Sequence, residues 1–86
     1  MNREETAFII IMGTVTKEPT DWSTILDAVR QKMNVTAGPQ VMRVRGVLQF
    51  CLDEDLIART KDLHVEQYVK LTEQDAKAWL ANEEEN

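Results

Sequence analysis

Few residues in this 86-residue chain can do chemistry, and their types limit what that chemistry is. There is one cysteine, Cys51, and one histidine, His64. A zinc site needs three or four ligands, so this pair does not make one. A Cys–His nucleophile needs an exposed thiol, whereas Cys51 falls on the apolar side of its segment and reads as a small core residue. Asp53, Glu54 and Asp55 have the charge to attract a cation but lack the glycine-bearing spacing of a calcium loop. They read as a helix stop. No phosphate-cradling glycine loop occurs, and no carboxylate lies in an apolar context that would shift its pKa. The residue types argue against an enzyme, and no metal or cofactor is expected.

What remains is the chemistry of cations. The net charge is −5, which weighs against a nucleic-acid ligand because such proteins usually carry a basic patch. The charges are unevenly spread. Residues 28–61 hold six basic side chains (Arg30, Lys32, Arg43, Arg45, Arg59, Lys61) and three acidic ones, a local +3, while both ends are negative. Screening cuts off charges beyond roughly 8 Å at physiological salt, so a ligand meets the local field. Arg43 and Arg45 also suit a merely solvated helix face. Being two residues apart, they point in different directions. Gly46 beside them is costly within a helix, by about 1 kcal/mol against alanine. It reads either as tolerated exposure or as a point of close approach for DNA or another helix.

The elements that must position these side chains form one domain, 1–86, with a modest core. The longest apolar run, residues 7–12, is far too short for a membrane span. The acidic residues before that run and the lack of a cleavage site after it argue against a signal peptide. A lone cysteine fits a reducing, cytoplasmic setting. The segment 4–15 places Phe8, Ile11, Met12 and Val15 on one helical face, although its three consecutive isoleucines leave a strand at 7–12 open. Residues 21–33 carry a stripe of Trp22, Ile25, Leu26, Val29 and Met33, with Thr20 or Asp21 as cap. A third helix spans 39–52, with Thr36 as a possible cap and Val44, Val47, Leu48, Cys51 and Leu52 inward; Met42, Arg45, Gly46 and Gln49 lie roughly opposite. Residues 57–71 read as a hairpin around a two-residue turn at Lys61 and Asp62, with Val65, Val69 and Leu71 on one face of its second strand and His64, Glu66, Tyr68 and Lys70 on the other. A last helix, 72–82, opens on a near capping box at Thr72 and Asp75. The acidic tail 82–86 is expected to fray.

The expected fold class is mostly α with a small β-hairpin. The order helix, helix, turn, helix, hairpin, helix resembles the winged helix-turn-helix superfamily. The stretch VRGVLQFCLDEDLIART looks like that family's recognition helix and its exit into the first wing strand. DWSTILDAVRQKM resembles the preceding helix, and EQYVKLTEQDAKAWL the second wing strand and C-terminal helix. Many members have glycine where Asp55 stands, so the left-handed turn there is expected to differ. The likeness spans residues 20–80 and is closest in size to small bacterial, plasmid and phage regulators.

The resemblance implies a DNA-binding transcriptional regulator. Helix 39–52 would enter the major groove, with Gln40, Arg43, Arg45 and Gln49 facing bases or phosphates. The wing, 57–71, would touch backbone or minor groove through Arg59, Lys61 and His64. Arg30 and Lys32 would hold phosphates. A homodimer through Trp79 and Leu80 would engage two half-sites; the competing reading folds the last helix back on the first of its own chain. The alternative function is a winged-helix module that binds protein through Met42, Gly46 and Gln49. The operator or partner, any effector, and the choice between activator and repressor are not written in these residues.

Overall fold

The computed structural model describes residues 1–62 and 64–85. The chain is mostly helical, with a small three-stranded antiparallel sheet. Helix α1, Arg3–Thr14, begins at a reciprocal cap: the Asn2 side chain accepts from the Glu5 amide at 2.8 Å, and the Glu5 carboxylate accepts from the Asn2 amide. Glu4 and Glu5 in its first turn suit the positive end of the helix dipole. Ala7, Phe8, Ile10, Ile11 and Met12 are all buried, a breadth of apolar surface that a strand over 7–12 would not enclose on one face.

Strand β1, Thr20–Asp21, leads directly into helix α2, Trp22–Lys32. Asp21 is the cap of α2, accepting from the Thr24 amide at 2.8 Å, and hydrogen bonding from the Thr24 side chain and then from that amide holds its carboxyl below the usual range. Ile25, Leu26 and Val29 face the core. The turn into helix α3, Gly38–Asp53, buries Val35 and is pinned by Arg30, whose Nε donates to the Val35 carbonyl at 3.3 Å.

The exit of α3 sets the geometry of everything after it. Asp55 has φ 57°, the left-handed conformation. The Leu56 amide donates to the Cys51 carbonyl at 3.0 Å and the Asp55 amide to the Leu52 carbonyl at 3.1 Å. This pair of bonds is a Schellman motif with aspartate in the glycine position. It turns the chain into strand β2, Ile57–Arg59, and inserts Leu56 into the core next to Cys51.

Strand β3, Gln67–Lys70, lies at the centre of the sheet, in the order β1-β3-β2. Arg59 pairs with Tyr68 on one side, and Thr20 with Tyr68 on the other. The hairpin differs from expectation in its connection. Its connection runs from residue 60 to 66, because Asp62 accepts from the His64 amide at 2.9 Å and makes its own local turn, while Thr60 donates to Gln67 across the neck at 2.9 Å. The expected two-residue turn lacked the Asn-Gly or Asp-Gly pair that favours one. The expected start of the second strand is Leu63 or His64; Leu63 lies outside the described residues, and the strand begins beyond His64, at Gln67. Of the two faces that the sequence distinguishes, the inward one is that of Tyr68, which is 0% exposed, while Val65 and Leu71 are exposed.

Helix α4, Ala76–Glu85, is capped by Asp75, which accepts from the Ala78 amide at 2.7 Å. It starts later than 72 and runs through Glu85. A single cluster of buried side chains draws on all four helices and on β2 and β3. Among the described residues, no helix is long and apolar enough to cross a membrane.

Candidate functional site

One face of α3 is left uncovered by the rest of the chain. Met42 (69% exposed), Arg43, Gly46, Gln49, Phe50 (42% exposed) and Asp53 lie along it at helical spacing. Nothing lies within 4 Å of the position a Cβ would take at Gly46, so no internal packing calls for glycine there. Arg43 and Arg45 diverge, as residues about 200° apart on a helix must. Arg43 borders the α1 side, beside Asn2 and Glu4, and makes no ion pair among the described residues. Arg45 turns the other way, toward the sheet.

There Arg45 joins an unforeseen centre, the carboxylate of Glu66. Arg45 Nη2 donates to Glu66 Oε1 at 2.7 Å, and Arg59 Nε stands 3.7 Å from the same oxygen. The Tyr68 hydroxyl also donates to it. Trp22 lies behind Arg45, with its ring centroid 4.7 Å from the guanidinium carbon. Hydrogen bonds from Tyr68 and then Arg45 hold the Glu66 carboxyl below its ordinary range. Burial, then the bond to Glu66, pushes the Tyr68 hydroxyl up to about 12. Tyr68 is therefore a neutral donor and Glu66 a charged acceptor at physiological pH. Gln49 extends the network, donating to Asp53 at 2.9 Å and accepting from Arg59 at 3.5 Å. The result straps the hairpin to α3.

No family model, no curated protein and no solved structure matches this chain.

Of the residues singled out from sequence, Arg45, Gln49 and Arg59 come together at this centre. Gln40 does not reach outward: its side-chain oxygen accepts from the Thr36 and Ala37 amides at 2.8 and 3.1 Å, capping α3 in place of Thr36. Arg30 braces the turn before α3, and Lys32 is exposed in the last turn of α2. Lys61 and His64 are exposed in the hairpin connection. Glu66, Tyr68 and Trp22 were missed as site residues; the only sequence signal was that Glu66 and Tyr68 share one strand face.

Cys51 is fully buried, and burial raises its thiol to about 12, so it is not a nucleophile at neutral pH. Trp79 packs on its own chain, 5.2 Å between ring centroids from Phe8 and 5.7 Å from Phe50. Beside this aromatic trio runs an open groove of about 450 Å³, bordered by Arg43, Gly46, Val47 and Leu80 and by the acidic Glu4 and Glu5.

Proposed function

We propose that this chain is a winged-helix protein that binds duplex DNA and regulates transcription, with α3 in the major groove and the β2–β3 hairpin as the wing. The observation that carries the reading is the uncovered face of α3 with the hairpin strapped to its side through Arg45, Glu66 and Arg59. An exposed helix next to a fixed hairpin offers one surface to a duplex, helix for base edges and hairpin for backbone. The element order and the sheet order β1-β3-β2 support the same architecture. Arg43 and Lys61 stand free of acidic partners among the described residues and are the readiest cations for phosphate or guanine.

The test is duplex affinity followed by fluorescence anisotropy as salt is raised. Phosphate neutralisation makes log affinity fall linearly with log salt, by about 0.9 per phosphate. Arg43→Ala should keep the fold, since Arg43 has no internal ion pair to lose. Its affinity should drop, with the slope reduced by about 0.9 if it grips a phosphate, or by about 1–3 kcal/mol at one base position if it grips guanine. Affinity unchanged by this substitution would remove α3 from its role.

A second reading, a protein-binding module, is favoured by a different observation. Glu66 already pairs with two of the central arginines, Phe50 borders a groove with Trp79 and Leu80, and Met42 is exposed on the same helix. Absence of duplex affinity even at low salt would move the conclusion there.

A further inference from the structure

We propose that Arg45, Arg59 and Tyr68 form an oxyanion site whose resident occupant is the Glu66 carboxylate, and that a backbone phosphate of duplex DNA displaces it. This rests on the DNA reading above and adds the residue that restrains binding.

The donors exceed what the carboxylate uses. Two guanidinium groups carry five N–H donors each, yet their contacts converge with the Tyr68 hydroxyl on one oxygen, Oε1. Arg59 approaches only to 3.7 Å, an ion pair without a hydrogen bond. A phosphate, with more oxygens and a tetrahedral spread, engages both planar forks where one carboxylate oxygen does not.

Two of the donors, Tyr68 and Arg45, are also held more firmly than the occupant. Tyr68 is fully buried in the central strand. Arg45 is backed by Trp22, whereas Arg59, 53% exposed, has a long hydrogen bond to Gln49 at 3.5 Å and is free to turn toward a larger anion. Glu66 lies before the first residue of β3, in the connection 60–66, and its side chain is 42% exposed. Exposed pairs of this kind are weak and are screened by salt, so a polyanion can replace the carboxylate without unfolding the sheet. The site lies on the flank of α3 next to the hairpin, where the backbone of a duplex seated on that helix would pass.

Glu66→Gln keeps the shape and removes the competing charge. Duplex affinity of the intact chain should rise by about twofold to thirtyfold, the span expected when two surface ion pairs no longer have to be broken. Adding Arg45→Ala to Glu66→Gln should cancel most of that gain. Circular dichroism spectra checking each variant should superimpose on the parent's. Equal or weaker affinity of Glu66→Gln overturns the proposal, as does a gain that survives Arg45→Ala. A titration with inorganic phosphate, read by NMR of the arginine side-chain N–H groups, separates this idea from the DNA reading. If neither protein binds duplex but Glu66→Gln shows saturable shifts at Arg45 and Arg59 that the parent lacks, the oxyanion site stands and DNA is not its ligand. If both titrations are silent, the site and the DNA reading fall together.

Discussion

Replacing Asp55 with glycine should stabilise the fold by about 1 kcal/mol, and the structure shows how that figure arises. Asp55 holds φ 57° at the position where the α3 exit reverses, fixed by the Leu56–Cys51 and Asp55–Leu52 backbone bonds. An L-residue in that conformation costs roughly 1–2 kcal/mol, part of which aspartate recovers through its short polar side chain. Glycine removes that strain but gives the unfolded chain more freedom, a loss of about 0.4–1 kcal/mol. The substitution also takes a negative charge from the negative end of the α3 dipole, a gain of about 0.3–1 kcal/mol at low ionic strength. The net is a gain of about 1 kcal/mol, which for a domain of this size raises the thermal midpoint by about 4–8 °C. Thermal unfolding followed by circular dichroism measures it. Asp55→Asn separates the contributions, since asparagine loses the charge but keeps a side chain in the left-handed region. Its midpoint should fall between those of the parent and Asp55→Gly. A glycine variant no more stable than the asparagine one would show that backbone conformation contributes nothing, and the reasoning would be refuted.

Two further outcomes follow from burial. The Cys51 thiol should resist an aromatic disulfide reagent in the native protein and react fully on unfolding in guanidinium, since it is enclosed and its thiolate is disfavoured; rapid native reaction would contradict the packing of α3. Tyr68 is the sole tyrosine, so absorbance reports it alone. Its phenolate should appear near pH 12 in the folded chain against about 10 in denaturant, and because the folded state holds the proton more tightly, stability should decline as pH rises through that window. A native titration at the denatured value would show that Tyr68 is not enclosed.

The helices were legible because each writes its burial into a 3.6-residue stripe. Phe8, Ile11, Met12 and Val15 are buried, as are Ile25, Leu26 and Val29, and Val44, Leu48 and Cys51. The sheet was less so. β1 is two residues long, with no periodicity to detect, and forms only because β3 offers it an edge. In β3 the alternation was readable but not which face turns in. Tyr68 exceeds the valines in apolar area and has a hydroxyl satisfied at the rim by Glu66, so it takes the interior. The Glu66 centre was illegible for another reason: Arg45 and Glu66 are 21 residues apart and meet only through the Schellman turn and the sheet register. Sequence located the cations without locating what neutralises them.

That distinction bears on the proposal that this acidic chain holds a polyanion. The −5 total is carried mostly by the two ends of the chain, including Glu83, Glu84 and Glu85 on α4, whereas the strap beside α3 contains two arginines and one carboxylate. With screening lengths near 8 Å, the distant acids matter less to a bound phosphate than whether Glu66 stays in place. Glu66 also joins the hairpin to α3 in the free protein, so the residue that organises the surface is the one that opposes an anion on it. On the proposed reading, such a surface would favour ligands able to offer several phosphates in register, because one phosphate gains little by exchanging with one carboxylate. Gln49 and Asp53, one turn further along α3, limit the basic surface at its C-terminal end. The strongest cationic approach is therefore to the N-terminal half of α3, at Arg43, and to the hairpin, and it is these two points, rather than net charge, that decide between duplex and protein partner.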